Sequence, residues 1–520
     1  MSRLVIIIFL IAVGCRAGDS APSTARSPNN SPTAPLGLIL NEDNSHFFFT
    51  RTLDDMTVEG LHAFVDQYAG TKVSHLFLCP NAMKASFKSS TRDAIWELAG
   101  DQRASEGGAT WIANAKALHE RGLDPYSIWI DRCREKGISP WLTMRMNDVH
   151  HVNDANNYQH STFWRKHPEL RRVPGGASRW VDYAFDFGRP EVREHAMSFV
   201  RELLERYDAD GIELDWMRFA YHFKPGSEAE GGKILTSFMR DVRDLTRAWS
   251  KRRGHPILVS VRVPTHPDAA AGLGMDGVTW GRERLVDMVV PTPFFSSSDF
   301  DIPVELWQER LGEPGRDVLL APALEYHVRP SPQVELVPND LLSFRGFVAA
   351  SLHRGADQIY LFNFMDSQTR PVSLADYRTL LAEGATLSDV VRLPRRHIVA
   401  FRDVVPDGFP NDIVLPAEAF PGVRFRLYTG PAPTSGRVEL IVALAEREGV
   451  TQATLAARVN DTKCTALGDF SDPGQFNGVR AMRFECPLGR VRAGYNEFEV
   501  KQSGDDPSQQ LVWAEVRLVP

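Results

Sequence analysis

The chain has 520 residues, 43% of them hydrophobic and 24% charged, which excludes a disordered or fibrous protein and suits two or three packed domains. Its 66 acidic and 59 basic side chains leave a formal charge of -7, so there is no basic excess to hold a nucleic-acid backbone. The 5 cysteines (Cys15, Cys79, Cys133, Cys464 and Cys486) are too few for a disulfide scaffold, and no C-x-x-C pair suggests zinc.

Arg3 precedes an apolar run from Leu4 to Val13, too short to span a bilayer, and Gly14-Cys15 follows. Residues 1–15 are expected to be a signal peptide. Ala12-Val13-Gly14-Cys15 resembles a bacterial lipobox, which would make Cys15 a lipid anchor; plain secretion with cleavage nearby is the alternative. Residues 16–35, rich in Ser, Pro, Ala and Asn, read as a flexible tether. The protein is therefore expected to be exported and to meet the membrane only through Cys15.

Over residues 36–395, short apolar runs alternate with amphipathic stretches. The strand candidates are Gly37-Leu40, Val73-Leu78, Ile138-Met144, Gly211-Leu214, Ile257-Val261, Met288-Val290, Val318-Leu324 and Gln358-Phe362. Between the third and fourth, Pro190 opens a helical pattern with Val192, Ala196, Phe199, Val200 and Leu203 on one face. Eight strands with helical crossovers predict an α/β fold, a (β/α)8 barrel. An open doubly wound sheet is the alternative, but no Gly-rich phosphate turn follows the first strand. From residue 396 to 520, short strand-like runs separated by Gly, Pro, Asp and Asn turns predict an all-β, jelly-roll-like sandwich. Cys464 and Cys486 lie in neighbouring segments there, and a disulfide between them stays open. Cys79 and Cys133 read as small buried hydrophobes.

A barrel gathers its active residues at the C-terminal strand ends. The fourth end, Gly211-Ile212-Glu213-Leu214-Asp215-Trp216-Met217-Arg218, puts Glu213 and Asp215 on one face of a core strand, with Arg218 near enough to keep Asp215 ionised. A structural Glu213–Arg ion pair is the competing account. The D-G-I-E-L-D-W phrase approaches the signature of family 18 chitinases, but Met217 stands where their proton-donating Glu belongs. It more closely resembles the glycosyl-hydrolase-like barrels of the family 10-like (DUF187) group. Their helix-opening phrase reads Gly188-Arg189-Pro190-Glu191-Val192-Arg193 here, and their strand phrase Tyr207-Asp208-Ala209-Asp210-Gly211-Ile212-Glu213-Leu214-Asp215. The upstream His167-Pro168-Glu169 is similar too. The resemblance covers about Ile138 to Arg218 and implies a carbohydrate hydrolase that needs no cofactor.

Glycoside hydrolysis normally takes a second carboxyl group. Glu325, at the end of the seventh strand, is expected to be the acid/base and Asp215 the nucleophile or stabiliser, although the reverse assignment is open. Asp148 and Asp366 are rivals to Glu325. Glu42, Asp43, Arg145, Asn147, Asp148, His150, Glu213, Trp216, Arg262, Tyr326, Asn363 and Asp366 are expected to bind the sugar. The aromatic rim is read as Trp216, Trp280, Phe294, Phe295, Tyr326 and Phe364. A metal at His150 and His151 is disfavoured, because adjacent strand residues point to opposite faces. The rival function is a glycan-binding surface lipoprotein that has lost its second carboxylate. Lyase or transferase chemistry on the same fold also stays open, as does the oligomeric state.

Overall fold

In the computed structural model, eight stretches of parallel pairing close into a barrel. The residues described are 36–176, 179–294, 297–370, 372–445, 454–472, 476, 479–503 and 508–520. Strand β1 (Leu38–Glu42) pairs with β2 (Val73–Leu78), β2 with β3 (Ser139–Arg145), and β3 with β4 (Gly211–Asp215). The order continues through β5 (Leu258–Val263) and β6 (Met288–Pro291) to β7 (Leu319–Leu320). The chain then runs straight into β8 (Ala323–Leu324), which pairs with the closing strand Ile359–Leu361, itself paired with β1. The seventh expected strand is thus two short segments either side of Ala321-Pro322, and it seals the ring.

Period-two alternation sorts the side chains. Ile39, Phe77, Trp141, Met288, Val290, Tyr360 and Phe362 fill the barrel interior. Leu38, Leu40, Leu76, Leu142, Ile212, Leu214, Val259 and Val261 face the surrounding helices. Gly211 is required by close approach, because a Cβ there would lie 2.4 Å from the Trp141 ring. Helix Pro190–Arg206 buries Val192, Ala196, Phe199, Val200 and Leu203, the face its sequence pattern predicts.

The C-terminal part consists of two antiparallel sheets. One holds Arg395–Ile398, Gln510–Val519, Arg437–Leu444, Arg480–Cys486 and Thr465–Phe470 in that order; the other holds Val423–Tyr428, Tyr495–Ser503, Thr454–Val459 and Thr462–Lys463. Val438, Leu440 and Val442 point into the sandwich, whereas Ile441 and Ala443 of the same strand join the core continuous with the barrel. A strand covered on both faces reads as an unbroken apolar run, and Leu440-Ile441-Val442-Ala443-Leu444 is one. The described residues from 36 to 520 accordingly belong to one compact unit. Cys464 and Cys486 are free thiols with their sulfurs 3.5 Å apart, so the two are adjacent but unbonded. Cys79 and Cys133 are buried, and burial pushes both thiols upward. Among the described residues, no helix is long and apolar enough to cross a membrane. The signal peptide, the tether and Cys15 lie outside the described residues.

Candidate active site

Register builds the barrel mouth in layers. Trp141, Gly211 and Leu258 lie side by side across β3, β4 and β5; Thr143, Glu213 and Ser260 form the layer above; Arg145, Asp215 and Arg262 form the next. Each step up these strands by two residues keeps the side chain inside the barrel.

In the middle layer, Glu213 accepts from the hydroxyls of Thr143 (2.7 Å), Tyr360 (2.8 Å) and Ser260 (3.1 Å). Burial pushes its carboxyl up to about 7, against the pull of Arg262. It is a satisfied group in the barrel core, not the sugar ligand expected, and hydroxyls rather than an arginine satisfy it. In the top layer, Arg262 donates to Asp215 at 2.7 Å and to Thr292 at 3.2 Å, with its guanidinium 3.6 Å from the centre of the Phe362 ring. Asp215 also accepts from the Met217 amide at 3.1 Å. The cation paired with Asp215 is therefore Arg262, where sequence proximity suggested Arg218.

Glu325 follows β8 directly. Its carbonyl is fixed by Ser298 (2.9 Å) and Asn339 (2.8 Å), and its Oε1 accepts from Asn363 at 2.9 Å. Asn363 has a left-handed φ of 59°, a conformation Asn tolerates better than most residues. Burial pushes the Glu325 carboxyl up to about 7, opposed in part by Asn363 and by Arg218 and Arg262. Arg262, bonded to Asp215 at 2.7 Å, also acts electrostatically on Glu325. Both acids are almost enclosed, Asp215 2% and Glu325 1% exposed.

Beside them runs a chain of charges. Arg145 is ion-paired with Asp43 and, at 3.0 Å, with Asp148; Asp148 also lies 2.9 Å from Nδ1 of His150. Burial raises the Asp43 and Asp148 carboxyls, but Arg145, with His46 at Asp43 and His150 at Asp148, outweighs it and holds both well below the usual range. His150 meets Phe219 edge-on (4.9 Å), Phe219 meets Phe294 (5.0 Å), and Phe294 stacks on Trp180 (5.9 Å). Trp180 is 39% exposed, so this aromatic wall reaches solvent.

Several expected ligands are used elsewhere. Trp216 follows an inward residue and so points outward, packed among Phe187, His222, Phe238 and Trp280. Trp280 and Phe364 are likewise buried in the core. Glu42 faces the helix layer, bound by Tyr68 and beside His46. Asn147 is consumed by backbone groups of Phe185 and Tyr221. Asp366 is held by Arg51, by the amides of Gln368 and Thr369 and by the Thr369 hydroxyl, which makes it a loop anchor. Tyr326 is half-buried and stacks on His327. Phe295 lies outside the described residues. Of the three candidates for second acid, Asp148 and Asp366 are bonded to cations, and Glu325 keeps Oε2 without a partner. Among the described residues, no group of three or more His, Cys, Asp and Glu side chains is arranged to hold a metal ion. Trp180 was not among the expected site residues, and its own sequence context carries no signal for it.

Fold and site together define an eight-stranded α/β barrel with two enclosed carboxyl groups at its mouth, one of them paired with an arginine. No family model matches the chain. A 1,4-alpha-glucan branching enzyme from Aquifex aeolicus is 25% identical over 195 residues, which cover 33% of this chain and 28% of that enzyme. Similar solved structures include a cycloisomaltooligosaccharide glucanotransferase from Paenibacillus sp. (10% identity, 92% of this chain and 57% of that one, TM-score 0.33). The PgaB (BpsB) glycoside hydrolase domain from Bordetella bronchiseptica is another (11% identity, 68% of this chain and 99% of that one, TM-score 0.39).

Proposed function

We propose that the protein is a glycoside hydrolase in which Glu325 is the general acid and Asp215 the nucleophile or charge stabiliser. The observation that carries this is the contrast between the two carboxyl groups. Glu325 is pushed up to about 7 by burial and keeps a partnerless oxygen, whereas Asp215 sits in a 2.7 Å ion pair with Arg262. Two carboxyl groups in opposed environments at one site suit a proton donor and a carboxylate, respectively. Glu325 protonates the glycosidic oxygen as the bond to the anomeric carbon breaks, and Asp215 faces the positive charge that develops there. Asn363 and the clamp from Ser298 and Asn339 hold Glu325 in position. Trp180, 39% exposed, offers a ring on which a sugar can stack, with Phe294 and Phe219 packed behind it. The likeness to a glucan branching enzyme agrees with carbohydrate chemistry.

The test is release of reducing ends from an oligosaccharide panel by the wild type, Asp215→Asn and Glu325→Gln. Each variant is expected to lose at least about a thousandfold in kcat, on the order of a general-acid or charge-stabilising contribution. Glu325→Gln should recover on aryl glycosides whose leaving group needs no proton. Binding without release by a folded wild type would leave the glycan-binding alternative in its place.

We further propose membership in the family 10-like group, with a domain boundary near residue 395 and export with lipidation at Cys15. Ala12-Val13-Gly14-Cys15 supports the last of these. Labelling of the wild type by an alkynyl fatty acid in a bacterial host, lost in Cys15→Ser, is the expected result.

A further inference from the structure

Among the buried polar atoms that the described residues leave unsatisfied at the mouth are Nε of Arg218, Nε of Arg262 and Oε2 of Glu325. The Arg218 side chain is only 8% exposed, and its one ion-pair contact among the described residues is loose, 3.7 Å to Asp43. It donates no side-chain hydrogen bond within the described residues. Its two neighbours differ: Arg145 is engaged by Asp43 and Asp148, and Arg262 by Asp215 and Thr292. Asp43, the acid closest to Arg218, is already committed to Arg145. Below the guanidinium lies the Phe362 ring, 5.1 Å away, which supports a cation without hydrogen-bonding it. Arg218 interacts electrostatically with Arg145, Asp43, Asp215 and Asp148, and it also acts on Glu325. Arg262, which holds Asp215, lies 3.6 Å from the same Phe362 ring, so Arg218 belongs to the same end of the site.

A buried guanidinium without a fork partner is costly, and its planar donors match a carboxylate two at a time. A sugar hydroxyl satisfies them singly. We propose that Arg218 receives a carboxylate of the substrate, so that the glycan is acidic and a carboxylate-bearing sugar lies beside Glu325. This rests on the glycosidase reading of the same mouth and adds the class of substrate to it.

Carboxyl reduction turns an acidic glycan into its primary-alcohol counterpart with the backbone unchanged. Oligomers of polygalacturonate, alginate and hyaluronan, each beside its reduced form, are titrated into the full chain, and hydrolysis is followed in parallel. At least one acidic glycan is expected to bind tenfold or more tightly than its reduced form. Arg218→Met should abolish that preference and Arg218→Lys retain part of it. The wild-type comparison stands even if a variant fails to fold. Equal binding of acidic and reduced forms, binding of dextran sulfate alone, or equal weakening of both forms by Arg218→Met overturns the proposal. If reduced or neutral glycans are the ones hydrolysed, the acidic-substrate proposal fails and the glycosidase reading survives. Arg218-dependent preference without hydrolysis sustains the carboxylate site and removes the glycosidase reading. A folded protein that binds none of these glycans, acidic or reduced, and hydrolyses none overturns both.

Discussion

Glu325 and Glu213 occupy different layers of one barrel, and burial acts on both in the same direction. Each is pushed from an ordinary 4.5 to about 7. A raised carboxyl stabilises the fold fully below its unfolded value, and that contribution is lost as pH rises through the folded value. Wild-type stability should therefore fall relative to Glu325→Gln between about pH 4.5 and 7, by on the order of 3 kcal/mol for this nearly enclosed group. Denaturant melts across that range measure it; parallel curves would refute the burial argument. Activity should fall around pH 7 as the folded enzyme's acid loses its proton, because a general acid works only while protonated.

Secondary-structure elements decide which tryptophan reaches solvent. Trp216 at the end of β4 sits among four rings in the core, whereas Trp180 opens a short 3-10 turn and is exposed. Trp180→Ala should raise KM roughly tenfold, about one stacking interaction, with the melting curve unchanged. Trp216→Ala should cost about 3 to 5 kcal/mol of stability. Reversal of these two effects in kinetics and melts would mean that the wall is structural. In the sandwich, the 3.5 Å gap between the Cys464 and Cys486 sulfurs lets small strand movements close a disulfide in an oxidising compartment. Oxidised protein should lose two thiols in a titration and gain about 3 kcal/mol through constraint of the 22-residue separation. Thiols that stay titratable after oxidation would count against it.

Across the whole molecule, barrel and sandwich share buried structure. Helix Leu341–His353 passes so close to the strand Arg395–Ile398 that a Cβ on Gly346 would lie 1.9 Å from the Arg396 carbonyl oxygen. Arg396 is paired with Asp340 at 3.2 Å, and Arg354 with Asp301 and the Tyr495 hydroxyl. A cleft of about 680 Å³ between the two parts is lined by residues such as Arg402, Arg426 and Tyr495, with neither Asp215 nor Glu325 in it. A single cooperative calorimetric transition is expected for residues 36–520. Two separated peaks would mean that the shared core contributes little.

Local pattern made much of this legible. Period-two runs located the strands, and alternation from Ile212 to Asp215 put both acids inside the barrel. Glu325 and Asn363 are named by the rule that strand ends gather at one rim, and the fold brings the two into hydrogen-bond contact. What a side chain meets across the barrel is a different matter, since it depends on register between segments far apart in sequence. Only the folded ring could pair Asp215 with Arg262 instead of Arg218, or hand Glu213 to three hydroxyls. The same holds for Trp216: alternation along β4 alone would have turned it outward, but its place at a strand end suggested the mouth. The sequence determined the barrel, the sandwich and the candidate acids, because these follow from local periodicity. Tertiary structure decided the ion pairs, the aromatic wall at Trp180 and the unsatisfied Arg218, because burial and partnership are properties of the assembled barrel.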